Sequence, residues 1–236
     1  MALLLRRLGA EIAVHLHAET SGVFPRPPEP IPEHLTELGA AVRLSNAALG
    51  IAVDPDVDRC VVLDELGRPV GEELTLAACV DFVLSRGARG KVIKNMSSSR
   101  ATDEVCKRYE GCSVSAVPVG EVHVARAMRA TGAVIGGEGN GGVLVPELHL
   151  GRDAPVAAAF ILAWLAGPLA GKTASAAFGV HLPKLFMCKL KVRKDIRVLS
   201  LYSFYFFFSR LLLLIILIKF LKSSPASILL KGTARR

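Results

Sequence analysis

Apolar residues recur along this chain at helical and strand spacings in turn. Leu3, Leu4, Leu5 and Leu8 form a helical stripe that stops at Gly9, a C-cap residue type. Glu11 to Leu16 alternates and reads as a strand. Residues 24–32 carry five prolines, which excludes a regular helix or central strand and predicts an extended surface connector. Glu33 to Leu44 predicts a helix with Leu35, Leu38, Ala41 and Val42 on one face. Leu49 to Val53 then reads as a buried parallel strand, and a second apolar segment runs from Cys60 to Leu63.

The rhythm repeats beyond Gly67. Helices are predicted at Glu72–Ser85, Thr102–Tyr109, Glu121–Ala130 and Pro155–Ala166, the last containing Trp164. Strands are predicted at Lys91–Asn95, Ser113–Val117 and Ala133–Ile135, the third leading into a glycine-rich loop. Strand–helix alternation implies an α/β layered fold, here two consecutive units divided near residue 66. From Ser200 to Ile218 the composition changes sharply: Phe204–Phe208 and Leu211–Ile218 flank Arg210. That stretch approaches the length of a bilayer span, but Arg210 near its centre is costly there. It reads either as an aberrant continuation, out of frame or intron-derived, or as a membrane anchor.

Charge sharpens this division. The formal net charge of +8 belongs to the tail, because residues 189–236 hold 11 Lys/Arg and one acid, Asp195. Residues 1–188 hold 18 Lys/Arg against 20 Asp/Glu, so the body offers no electrostatic case for nucleic-acid binding. The five cysteines (Cys60, Cys79, Cys106, Cys112 and Cys188) form no C-x-x-C pair and indicate inert thiols in a reducing compartment. Cytoplasmic location is therefore expected, with residues 200–218 the only route to a membrane.

The densest chemistry is Asp54-Pro-Asp-Val-Asp-Arg59. Three carboxylates, Asp54, Asp56 and Asp58, alternate between two apolar segments, and like charges so close raise one another's pKa unless something neutralises them. A hard divalent ion, Mg²⁺ first, takes such oxygen ligands. Arg59 adds a fixed charge suited to phosphate. A solvated acidic turn is the plain alternative. A calcium EF-hand is rejected, because Arg59 stands where its loop needs glycine and the flanks are β-like. Downstream, Gly136-Gly-Glu-Gly-Asn-Gly-Gly142 offers Glu138 as an acceptor and Asn140 as donor and acceptor within a backbone that ligands can approach closely. A flexible turn is the alternative there. A P-loop is excluded, since the Gly-Lys-Ser/Thr ending is missing. His123 and His149 are isolated and read as structural or exposed.

These two motifs, in this order, resemble the metal loop and sugar-recognition loop of the α-D-phosphohexomutases: phosphoglucomutase, phosphomannomutase and phosphoglucosamine mutase. Phe24 with Pro28-Glu-Pro30, Pro118-Val-Gly-Glu121 and Gly151-Arg-Asp153 extend the resemblance over roughly residues 1–193. It implies two consecutive α/β/α domains, the second (1–66, incomplete) and third (67–193) of the family, followed by an unrelated hydrophobic, basic tail (194–236). It implies phosphoryl transfer between the 1- and 6-positions of a hexose or hexosamine phosphate, with one Mg²⁺ and a hexose 1,6-bisphosphate intermediate. Asp54, Asp56 and Asp58 would be metal ligands, Arg59 a phosphate contact, and Glu138 and Asn140 sugar contacts across an interdomain cleft.

The resemblance also implies a catalytic phosphoserine loop and a fourth-domain phosphate grip, and neither is found in this sequence. Thr173-Ala-Ser175 matches three letters of the serine loop, but it follows the sugar loop rather than preceding the metal loop. Ser175 reads as a helix surface or cap residue, and Ser97-Ser-Ser99 as a polar turn. The expectation is thus a mutase-like chain that is incomplete, or a non-catalytic Mg²⁺- and sugar-phosphate-binding remnant, with no catalytic residue assigned. The full chain, given Mg²⁺, a hexose 1-phosphate and the matching 1,6-bisphosphate, should form no 6-phosphate. Conversion well above that of an Asp54/Asp56/Asp58→Ala triple variant would refute this.

Overall fold

In a computed structural model, residues 1–19, 21–183 and 185 are described. The apolar stretch at 200–218 lies outside them. The elements run α1 (Ala2–Arg7), a 3₁₀ turn (Pro32–His34), α2 (Thr36–Leu44), β1 (Gly50–Val53), β2 (Cys60–Leu63), α3 (Glu72–Ser85), β3 (Lys91–Asn95), α4 (Ala101–Cys106), β4 (Ser113–Val117), α5 (Glu121–Thr131), β5 (Ile135–Glu138), β6 (Gly142–Leu144), α6 (Ala154–Ala166) and α7 (Ala174–Ala176). A short π-helical segment, Ala177–His181, follows α7. No described helix is long and apolar enough to cross a membrane.

The strands form two sheets. β1 and β2 make an antiparallel hairpin with Gly50 opposite Leu63 and Val53 opposite Cys60. The second sheet has the order β4-β3-β5-β6, parallel except for β6, which runs antiparallel to β5. Side chains of adjacent strand residues point to opposite faces, and the core follows that alternation. Val92, Ile135 and Val143 join α3 and α6 in the main core with Leu76, Ile161 and Trp164. Ile93 and Leu144 face the other way, onto Val124 and Met128 of α5. Helices therefore cover both faces of this sheet. The hairpin is double-sided too: Ala52, Val61 and Leu63 meet Leu35 and Leu38 beside α2, while Cys60 and Val62 enter the main core.

Two sequence expectations are corrected. Leu49–Val53 is not a parallel strand: only residues 54–59 separate β1 from β2, and a parallel pair needs a crossover of a dozen residues or more. The acidic motif is consequently a hairpin turn. Glu11–Leu16 forms no strand; Val14 is 49% exposed, no strand among the described residues pairs with the segment, and the next residue, His17, has a φ of 52°. Smaller shifts have local causes. The helix expected from Glu33 opens as a 3₁₀ turn over Pro32–His34, and β5 extends through Gly136 and Gly137 rather than stopping at Ile135. Gly136 permits that extension, since a Cβ there would meet Ile93 O at 2.8 Å.

The four described cysteines are free thiols, with Cys60, Cys79 and Cys106 buried. Burial pushes Cys60 up to about 12 and Cys106 up to about 11, Cys106 also through Cys112 and Asp103, which leaves both protonated and unreactive. Away from the sheets' loop edge, Asp81 of α3 is 2% exposed and ties the core's polar atoms together. It accepts hydrogen bonds from Tyr109 Oη, 2.8 Å, and Trp164 Nε1, 2.8 Å, and pairs with His181 Nε2 at 2.8 Å. Asp81→Ala should strand the buried indole N–H and phenol and lower unfolding stability by about 3 kcal/mol. Urea titration followed by Trp164 fluorescence measures this, and an unchanged midpoint would show the node to be dispensable.

Candidate metal and substrate site

The acidic turn takes its shape from its own backbone. Asp54 closes β1, and its carboxylate folds back over the turn: Oδ1 accepts the N–H of Asp58 at 3.1 Å and of Arg59 at 3.0 Å. Its Oδ2 receives Arg59 Nε in a close ion pair. Val57 sits at the turn's apex with a φ of 58°, a rare conformation for a β-branched residue. Its carbonyl accepts the N–H of Ala154, 3.2 Å away at the start of α6. The result brings Asp54, Asp56 and Asp58 together, each offering one oxygen, with those oxygens within 4.8 Å of one another.

Electrostatics separate the outer two. Burial alone would raise Asp54, but the Arg59 backbone N–H and side chain, helped by Asp58, hold it below the ordinary carboxylate range. Asp58 is pushed up to about 6, first by burial and then by Asp54 and Asp56, against the pull of Arg152. Asp58 Oδ1 is buried and accepts no hydrogen bond, and Arg59 Nε lies 3.6 Å from it. A buried, unsatisfied carboxylate oxygen facing two further carboxylates is a donor set that fits a hard divalent cation.

Arg59 lies against this cluster with its side chain 24% exposed, and its backbone forms a bridge with Gly142. Glu138 ends β5 and is 4% exposed. Its Oε1 accepts Asn95 Nδ2 at 2.7 Å and Gly120 N at 3.3 Å, and its Oε2 accepts Arg152 Nη1 at 3.0 Å. Asn140 donates to Glu138 at 3.4 Å and accepts Gly142 N at 3.1 Å, so it shapes the loop as well as lining it. The acidic turn and the glycine-rich loop lie side by side, with Cys60 N donating to Gly141 O at 3.0 Å. Ser175 stands in α7, capped by Thr173, and gives both N–H and hydroxyl to Glu65.

The residue the sequence pointed to least is Arg152. It was visible only as the middle of Gly151-Arg-Asp153, ahead of the helix that Asp153 caps through Val156 N at 2.8 Å. In the fold its guanidinium reaches Asp58, Glu121 and Glu138 at once. Glu121, the last residue of Pro118-Val-Gly-Glu121, also accepts Arg152 N at 2.9 Å. No spacing rule links residues 58, 121, 138 and 152; only the folded loops do.

Comparison with known proteins identifies the family. The family described as "Phosphoglucomutase/phosphomannomutase, alpha/beta/alpha domain II" matches residues 2–67, and the corresponding domain III matches residues 71–184. The chain is 41% identical over 162 residues to the protein named "Probable phosphoglucosamine mutase" of Methanopyrus kandleri, covering 68% of this chain and 35% of that one. It is 38% identical to "Phosphoglucomutase/phosphomannomutase" of Thermococcus kodakarensis, covering 80% and 40%. The crystal structure of a phosphoglucomutase/phosphomannomutase family protein from Burkholderia thailandensis aligns with a TM-score of 0.69 at 28% identity, covering 78% of this chain and 40% of that one. The chain thus spans a little over a third of the length of these relatives.

The raised Asp58 sets a sign for stability. Between its ordinary value of 3.8 and about 6 the folded state holds a proton that the unfolded state gives up, so this group's contribution to stability falls as pH rises through that window. With a chelator present, Asp58→Asn should be more stable than the parent at neutral pH, and the difference should shrink as pH falls from 6 towards 4. Chemical denaturation across that range is the measurement, and a difference that grows on acidification would contradict the assignment.

Proposed function

The chain belongs to the phosphoglucomutase/phosphomannomutase family, and on that premise we propose that it binds Mg²⁺ and a hexose or hexosamine phosphate for intramolecular phosphoryl transfer between the 1- and 6-positions. The observation that carries this reading is the convergence of Asp54, Asp56 and Asp58, one of them with a buried, unsatisfied oxygen, beside the Glu138–Gly142 loop. Asp54, Asp56 and Asp58 would hold the ion, which when bound neutralises charge on a phosphoryl group. Arg59, fixed by Asp54, would present its positive charge to the phosphate. Glu138 and Asn140 would meet the sugar hydroxyls, with Asn95 and Gly120 holding the Glu138 carboxylate in place. The roles of these residues, and the division into units at 1–66 and 67–193, belong to this proposal. The two separate sheets and the limits of the two family matches support that division.

Nothing among the described serines serves as phosphoryl carrier in this reading. Ser98 bonds Asn95 Oδ1 and receives Gly139 N, and Ser175 is held by Glu65. The residues present therefore bind and orient. Calorimetric titration of the full chain with glucose, mannose and glucosamine phosphates, with and without Mg²⁺, tests the proposal. Saturable binding that needs Mg²⁺ and is lost in the Asp54/Asp56/Asp58→Ala variant is expected. Absence of binding to all three phosphates, or binding indifferent to the triple substitution, would refute it.

A further inference from the structure

Arg152 pairs with a carboxylate from each of the two loops of the site. Its Nη2 pairs with Asp58 of the acidic turn, its Nη1 with Glu138 of the glycine-rich loop at 3.0 Å, and its Nε with Glu121 at 3.2 Å. The side chain is 18% exposed and the fork is fully engaged. Its stem runs over Gly142: a Cβ there would collide with Arg152 Cδ and come within 3.0 Å of Cγ, so glycine at 142 leaves the passage for the arginine. The neighbouring backbone grips the same turn, because Ala154 N donates to Val57 O.

One carboxylate cannot serve two cations at full strength. An ion that draws on Asp58 competes with Arg152 for its charge, and whatever Arg152 yields at Asp58 changes its hold on Glu138. We propose that Arg152 is a positioning residue that couples divalent-cation binding at the acidic turn to the state of the Glu138–Gly142 loop. Cation binding loosens the tie at Asp58, and Arg152, no longer held from the acidic turn, relaxes its grip on Glu138, one of several contacts that anchor the loop. By linkage, a ligand that engages Glu138 alters cation affinity by the same factor. This inference rests on the reading of Asp54, Asp56 and Asp58 as cation ligands.

The test uses the full 236-residue chain and two readouts: Mn²⁺ affinity by calorimetry, and hydrogen exchange at the amides of 139–142 with and without Mn²⁺. In the parent, exchange at 139–142 should quicken on adding the ion. Arg152→Gln should bind Mn²⁺ about 5-fold or more tightly and lose the exchange response. Arg152→Lys keeps the charge but cannot reach three carboxylates in a planar fork, so it should keep near-parental affinity and still lose the response. An exchange response of equal size in the parent and both variants would overturn the coupling while leaving the cation site standing. So would unchanged or slowed exchange in a parent that binds the ion. A parent that binds no Mn²⁺ would overturn the functional reading and the coupling with it.

Discussion

The site depends on one close approach of two backbones. At the start of β2, Cys60 N donates to Gly141 O at 3.0 Å, Arg59 bridges to Gly142, and the Cys60 carbonyl accepts Thr75 Oγ1 at 2.8 Å from α3. This seam joins the hairpin to the sheet that bears the glycine-rich loop. It tolerates no side chain, because a Cβ on Gly141 would lie 2.5 Å from Cys60 O and the residue has a φ of 93°. Glycine is needed there for both space and conformation. The glycines of residues 136–142, which suggest a pliable loop when read alone, are in the fold mostly buried and closely packed.

Bringing the loops together concentrates negative charge. Asp54, Asp58, Glu121 and Glu138 meet around two arginines, and burying ionised groups is costly unless each is paired and hydrogen-bonded. The two arginines share this work unequally. Arg59 neutralises Asp54 locally, within the turn that both residues build. Arg152 comes from a segment distant in sequence and spreads one charge over three carboxylates. Asp54 is accordingly held low and Asp58 high, although they stand four residues apart. That split follows from donor supply: Asp54 accepts two backbone N–H groups, whereas one oxygen of Asp58 accepts none.

The α/β alternation was legible because its periodicities are local. The four helices between Glu72 and Ala166 lie within a few residues of where their apolar spacing places them. The acidic turn was legible because its chemistry is contiguous in sequence. Pairing direction was not, since the apolar run Gly50–Val53 is the same whether its partner is parallel or antiparallel; the six-residue separation from β2 was the available signal. Glu11–Leu16 misled because alternation records only a face, and a strand also needs a neighbour to satisfy its backbone. Arg152 escaped notice because its importance lies in three partners at separations of 94, 31 and 14 residues.

The apex of the turn shows how such a cluster is held ready. A valine at a φ of 58° is an expensive residue for a tight turn, and such conformations persist only where the surroundings over-determine them. Here they do: Val57 N donates to Asp54 O at 3.1 Å, Val57 O accepts Ala154 N, and the carboxylates of Asp54 and Asp58 are held by Arg59 and Arg152. Ala154 opens a helix whose next turns, through Ala157, Ala158, Ile161 and Trp164, are anchored in the main core. The positions of Asp54 and Asp58 are thereby tied to helix packing in the main core. Under the proposed reading, a cation would find its ligands already convergent, so little of its binding energy need be spent on ordering the chain.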